Sequence, residues 1–262
     1  MTRADTQCRC YEDDLYKLYL WGFTDYDIVG EKRNVDWCFK ILTFLGCKKG
    51  FTVTWWSINK PRIVEKGIFP TRAEVNGGWA YPGTDAVWIY REEEWDRVLI
   101  HECIHALLWD ISPASGLKTC LESSLNNGKL TDALFEAATE LNAEWLWTII
   151  HSPSDDLSCK TWAKQVQWQE KQALQILART DPSVGWTEDT SVFAYYVLKA
   201  VLAKDIGEFV MDWLPGTATS SKWCGKWESN KDLYYEKSLK YKNTVNSVIS
   251  TRMTNPELDS RN

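Results

Sequence analysis

Two histidines four residues apart, His101 and His105, sit with Glu102 inside the apolar run Val98-Leu99-Ile100 and Ala106-Leu107-Leu108. No other feature constrains the chain as strongly, because it holds only 3 histidines in 262 residues. The flanking apolar residues predict a helix, on which residues four apart are turned by only about 40°. Both imidazoles can then reach one divalent ion at about 2 Å. Glu102, one residue on, faces the open coordination position, where a carboxylate can act on a bound water. Zn²⁺ is the expected ion. Cys103, about 200° around the helix from His101, should point into the core as a packing residue.

A zinc site that keeps a water needs a third protein ligand. The metzincin extension is absent, since it requires Gly where Leu108 stands and His where Ile111 stands. A second helix supplies the alternative: Leu134-Phe135-Glu136-Ala137-Ala138-Thr139-Glu140 continues to Glu144, placing three carboxylates on one face. Glu136 is the preferred ligand and Glu140 the carboxylate that steadies a metal-bound imidazole, with the reverse assignment open. Glu144 should face solvent or a neighbouring helix. His151 would lie about 22 Å along that helix from Glu136 and is a poor ligand. An ordinary solvated acidic face is the plain alternative for the stripe. Asp110 orients a ligand or ends the helix.

The stretch from Tyr90 to Leu107, with Phe135 to Glu140, resembles the gluzincin group of zinc metallopeptidases and metallopeptidases encoded by large double-stranded DNA viruses. The spacing from His105 to Glu136 is longer than in thermolysin-like enzymes, and their Asn before the Glu is missing. The resemblance implies an α+β, zincin-like fold and a peptide or protein substrate cleaved by an activated water with Glu102 as base. It further implies an oxyanion donor from Tyr195 or Tyr196, for which helix packing is the plain alternative, and alignment of substrate along Ala86 to Tyr90 as the edge strand of the sheet. One competing reading is a non-enzymatic virion or scaffold protein that retains the fold and the metal. Another is a hydrolase of non-peptide amides.

Around the motif, hydrophobic spacing predicts a small mixed sheet followed by a mainly helical half, as one domain over 1–262 with lobes 1–110 and 111–262. Strands are expected at 51–58, 77–81 and 86–90, and helices at 35–45, 92–109, 132–150, 161–177, 191–204 and 232–253. Residues 1–10 and 254–262 should fray. A net charge of −6 with no basic cluster argues against nucleic acid as a partner. No apolar run is long enough to span a bilayer, and the start carries no secretion pattern, so an intracellular protein is expected, cytoplasmic, nuclear or virion-associated. The 8 cysteines include no CxxC pair and should be mostly reduced thiols. The 16 tryptophans should serve packing, with a protein partner on a Trp-rich surface as the alternative.

Overall fold

The computed structural model describes residues 6–23, 28–109, 116–126, 128–131, 133–152, 154–181, 183, 185–207, 220–246 and 248–258. Asp110 lies outside them. The architecture is α+β, and the chain divides into two compact units: residues 1–61 with 77–109, and residues 62–76 with 110–262.

The first unit is built on a five-stranded mixed sheet in the order β1-β2-β3-β6-β5. β1 (Thr6–Glu12) and β2 (Tyr16–Phe23) form an antiparallel hairpin. Its turn is set by the Asp13 carboxylate, which accepts the N–H groups of Leu15 at 2.8 Å and Tyr16 at 2.7 Å. β2 runs parallel to β3 (Phe51–Trp56), and α1 (Ile28–Phe44) is the crossover between them. The helix stops where Gly46 takes φ +67°. β3 pairs in parallel with β6 (Ala86–Ile89), and β5 (Gly78–Ala80) closes the order as an antiparallel edge strand. On β2 and β3, Tyr16, Leu18, Leu20, Phe51, Val53 and Trp55 are buried on one face, as strand alternation dictates. The other face carries Tyr19, Trp21 and Trp56 beside Lys17, Thr52 and Thr54.

Two expectations are corrected here. Residues 6–12 do not fray but form β1, and the strand at 86–89 is not an edge, because β5 covers it.

The second unit is mainly helical: α2 (Arg72–Val75), α4 (Leu117–Ser124), α5 (Glu136–His151), α6 (Asp155–Leu177), a π-helix at Phe193–Leu198 that continues as α7 (Lys199–Ala203), and α8 (Ser220–Ser238). A short antiparallel pair joins β4 (Ile63–Val64) to β7 (Ile249–Ser250). The helix expected over 232–253 instead begins at Ser220, tightens into a 3-10 segment at Leu239–Asn246 and ends before β7. Aromatic rings pack edge to face from Phe69 through Trp186 and Phe193 to Trp227, at 5.2 to 5.3 Å. A face of α6 binds the C-terminal segment by its main chain: the Gln165 amide donates to Met253 O at 2.6 Å and Trp168 Nε1 to Arg252 O at 3.1 Å. No helix among the described residues is long and apolar enough to cross a membrane.

Cysteine usage differs from expectation at one place. Cys120 on α4 and Cys224 on α8 form a disulfide across 104 residues, while Cys8, Cys10, Cys38, Cys47, Cys103 and Cys159 are free. Closing so long a loop restricts the unfolded chain. Cys120→Ser, or reduction of the native chain, is expected to cost about 2–5 kcal/mol in urea unfolding followed by far-UV circular dichroism. An unchanged midpoint would show that the bridge adds no stability.

Candidate metal centre

The motif helix α3 (Trp95–Ala106) is buried on every face, with Asp96, Arg97, His101, Glu102 and His105 buried alongside its apolar side chains. Burial of Val98, Leu99, Ile100 and Ile104 contributes roughly 1.5–3 kcal/mol per side chain. Its ends carry unusual backbone. Glu94 precedes the first turn at φ 59° without a side-chain cap, so the three glutamates expected within the helix start lie before it. At the other end Leu108 takes φ 56°, with Leu108 N–H bonded to His105 O and Trp109 N–H to Ile104 O. These bonds form a Schellman stop, with leucine where glycine usually stands. The helix therefore ends at Ala106, one residue after the second histidine.

On this rigid element the two histidines converge. Their Nε2 atoms are 3.0 Å apart and the rings meet at 76°, with His101 6% and His105 8% exposed. Two nitrogens bound tetrahedrally to zinc at 2.0–2.1 Å stand about 3.3 Å apart. The observed separation lies within a few tenths of an ångström of that value, so the pair fits a shared divalent ion. Glu102 is equally buried, and α3 packs against β5 beside it. Gly78 makes the close approach possible: a Cβ there would stand 2.6 Å from Trp88 O, 2.9 Å from Val98 Cγ1 and 3.0 Å from Glu102 Cγ. Only glycine lets the edge strand lie this close to the carboxylate.

Cys103 is buried and points away from the histidines into a thiol cluster with Cys47 and Cys38. Burial first, and the neighbouring Cys47 second, push its thiol well above the usual range. It is a packing residue, as the helix geometry predicts.

The glutamate stripe belongs to the second unit. Glu136 is the first residue of α5, at the positive end of the helix dipole, and is half-buried. Glu140 and Glu144 are buried, so the stripe is not a solvated acidic face. Glu144 is committed elsewhere: Lys199 Nζ donates to Oε1, and Gln165 and Gln169 amides donate to Oε2, Gln165 at 3.1 Å. Both members of the ion pair are fully buried. His101 and His105 belong to the first unit and Glu136 to the second, and all three are side-chain types that bind divalent ions.

His151 is held on its own helix, with Nδ1 2.9 Å from Trp147 O and its ring stacked on Trp147. Tyr196 is buried, and its hydroxyl donates to Thr251 O at 2.8 Å, which ties the π-helix to the C-terminal segment. Tyr195, its half-buried neighbour, lies on the same π-helix, a distortion that often marks functional positions. No protein-family model, curated protein or solved structure matches the chain.

Sequence reasoning missed Gly78, Lys199 and the glutamines of α6. The Gly77-Gly78 pair before an alternating segment was the available signal for a close backbone approach.

Two outcomes follow from this geometry. Gly78→Ala forces β5 away from α3 and is expected to lower the thermal midpoint by several degrees in calorimetry, at a cost of about 1–3 kcal/mol; a wild-type midpoint would mean the strand yields without cost. Lys199→Met strands the Glu144 carboxylate and should cost about 3–5 kcal/mol, whereas Lys199→Met with Glu144→Leu should recover much of it. Equal losses in the single and double variants would argue against pairing as the reason both residues are buried.

Proposed function

We propose that this chain is a zinc-dependent peptidase with a zincin-like fold. His101, His105 and Glu136 would hold the ion, and Glu102 would serve as general base. The observation that carries the reading is the convergence of the two Nε2 atoms on a buried helix, with a carboxylate one residue on and an open strand edge beside it. A buried carboxylate in that position has no use in a purely structural site, which favours the enzyme over a scaffold that merely retains metal. The resemblance of the motif to gluzincins supports the same reaction class.

When bound, zinc on two neutral imidazoles and one carboxylate keeps net positive charge, acidifies a water and polarises a carbonyl. The protein's own groups do the rest. Glu102 takes the proton of the attacking water and returns it to the leaving amine. Its burial keeps bulk water from competing for that proton. Glu140 would accept the second N–H of a liganded imidazole and fix its orientation. Tyr195 or Tyr196 would be the oxyanion donor, and the Tyr196 hydroxyl also donates to Thr251 O.

An extended peptide would add to β5 instead of the strand at 86–90. In the β5–β6 pair, Tyr90 N–H donates to Gly77 O, so alternation directs the Gly78 and Ala80 N–H and C=O groups to the open side. Main-chain pairing there would carry a substrate carbonyl past Glu102 whatever the side chains.

Metal content and cleavage of a peptide library test the reading together. The purified chain should carry one zinc and cleave peptides. Glu102→Gln should keep the metal and lose at least about 100-fold in kcat/KM, and His101→Ala should lose the metal as well. Zinc bound without cleavage by the unsubstituted chain would favour the scaffold reading, and full activity in Glu102→Gln would exclude Glu102 as the base.

A further inference from the structure

The outer face of the first unit's sheet carries an indole stack that nothing in the proposed chemistry uses. Trp79 of β5 lies between Trp56 of β3 and Trp88 of β6, at 5.7 Å from each and with interplanar angles of 16° and 2°. Tyr90 flanks Trp79 at 5.8 Å, and Tyr81 meets Trp88 edge-on at 5.7 Å. Trp79 is 39% exposed and Tyr81 61%. None of these five side chains is charged. The group stands at the open edge of the sheet.

We infer that this aromatic group is a specificity subsite that selects an aromatic or large aliphatic side chain at the substrate position next to the scissile bond. The inference rests on the peptidase reading for the words "scissile bond" and on strand register for everything else. Gly78 projects towards α3, within reach of Glu102, while Trp79 projects to the opposite face. A peptide paired with β5 follows the same alternation. Its residue opposite Gly78 directs its side chain to the α3 side, beside Glu102. The adjacent residue, opposite Trp79, directs its side chain to the outer face, with Cβ about 4.5–5.5 Å from that of Trp79.

That side chain finds an indole directly opposite and the Tyr81 ring two residues along the strand. An aromatic or branched apolar group gains contact area and edge-on ring contact there. A carboxylate or ammonium would lose hydration against uncharged rings without gaining a partner. Chemistry at Gly78 and selection at Trp79 thus fall on consecutive substrate residues, one on each face of the edge strand.

Binding of alanine-serine decapeptides that carry a single Phe, Leu, Lys or Asp, scanned through every position, tests this in the full-length Glu102→Gln chain. Fluorescence anisotropy of labelled peptides should show one position at which Phe and Leu bind about tenfold more tightly than Asp. Trp79→Ala in that background should bring the ratio to within about twofold. Tyr81→Ala, at the more exposed position, should reduce it partway, and this variant decides if Trp79→Ala does not fold. A flat ranking, or one that survives in folded Trp79→Ala and Tyr81→Ala proteins, overturns the inference. Cleavage by the unsubstituted chain separates the two claims: cleavage with no side-chain preference at any position overturns the subsite alone, whereas a Trp79-dependent ranking without cleavage overturns the peptidase reading and supports peptide selection at this edge.

Discussion

Two imidazoles held one helical turn apart on a helix with no exposed face are the constraint from which the rest of the first unit follows. Burying His101, Glu102 and His105 together costs solvation that ordinary packing does not return. The two Nε2 atoms stand only 3.0 Å apart, a separation that a shared divalent ion would satisfy. The helix must then be rigid, and its surroundings explain how: β6 and β5 pack on it, Trp55 stacks on Trp95 at its first turn, and the chain leaves it through a tight left-handed stop at Leu108. That leucine conformation costs roughly 1–2 kcal/mol, which the buried helix offsets.

The second unit solves a comparable burial problem by pairing within the protein. Glu144 and Lys199 are fully buried, and the remaining lone pairs of the carboxylate are taken by glutamine amides from α6. Glutamines on the same helix also hold the main chain of the C-terminal segment, so the polar core and the chain end depend on one helix face. With this pairing Glu144 is spoken for, so the proposed metal site draws only on Glu136 and Glu140 of α5.

The fold was legible where one periodicity dominated. α1, α5 and α6 follow their apolar spacing, and Gly46 ends α1 in the conformation its lack of a side chain permits. The hairpin Thr6–Glu12 and Tyr16–Phe23 was not read, although Tyr16, Leu18 and Leu20 alternate with Lys17, Tyr19 and Trp21, because its outer face is aromatic and masks the contrast. Strand order could not be read either, so the edge was assigned to 86–90 when the three-residue β5 occupies it. The placement of His101 and His105 side by side on one helix, with Glu102 next to them, was legible from spacing alone. The close approach at Gly78, the partner of Glu144 and the engagement of the Tyr196 hydroxyl depend on tertiary contacts that no local pattern encodes. The same holds for the disulfide, whose cysteines are 104 residues apart.

Cobalt substitution addresses the shared-ion claim most directly, since visible Co²⁺ spectra report ligand number and type. The metal-depleted chain is predicted to take up one Co²⁺ with the intense d–d bands of a four- or five-coordinate site, without a thiolate charge-transfer band, and to lose that spectrum in His101→Ala and in His105→Ala. A chain that binds no cobalt, or whose spectrum is unchanged when either histidine is replaced, would contradict the account.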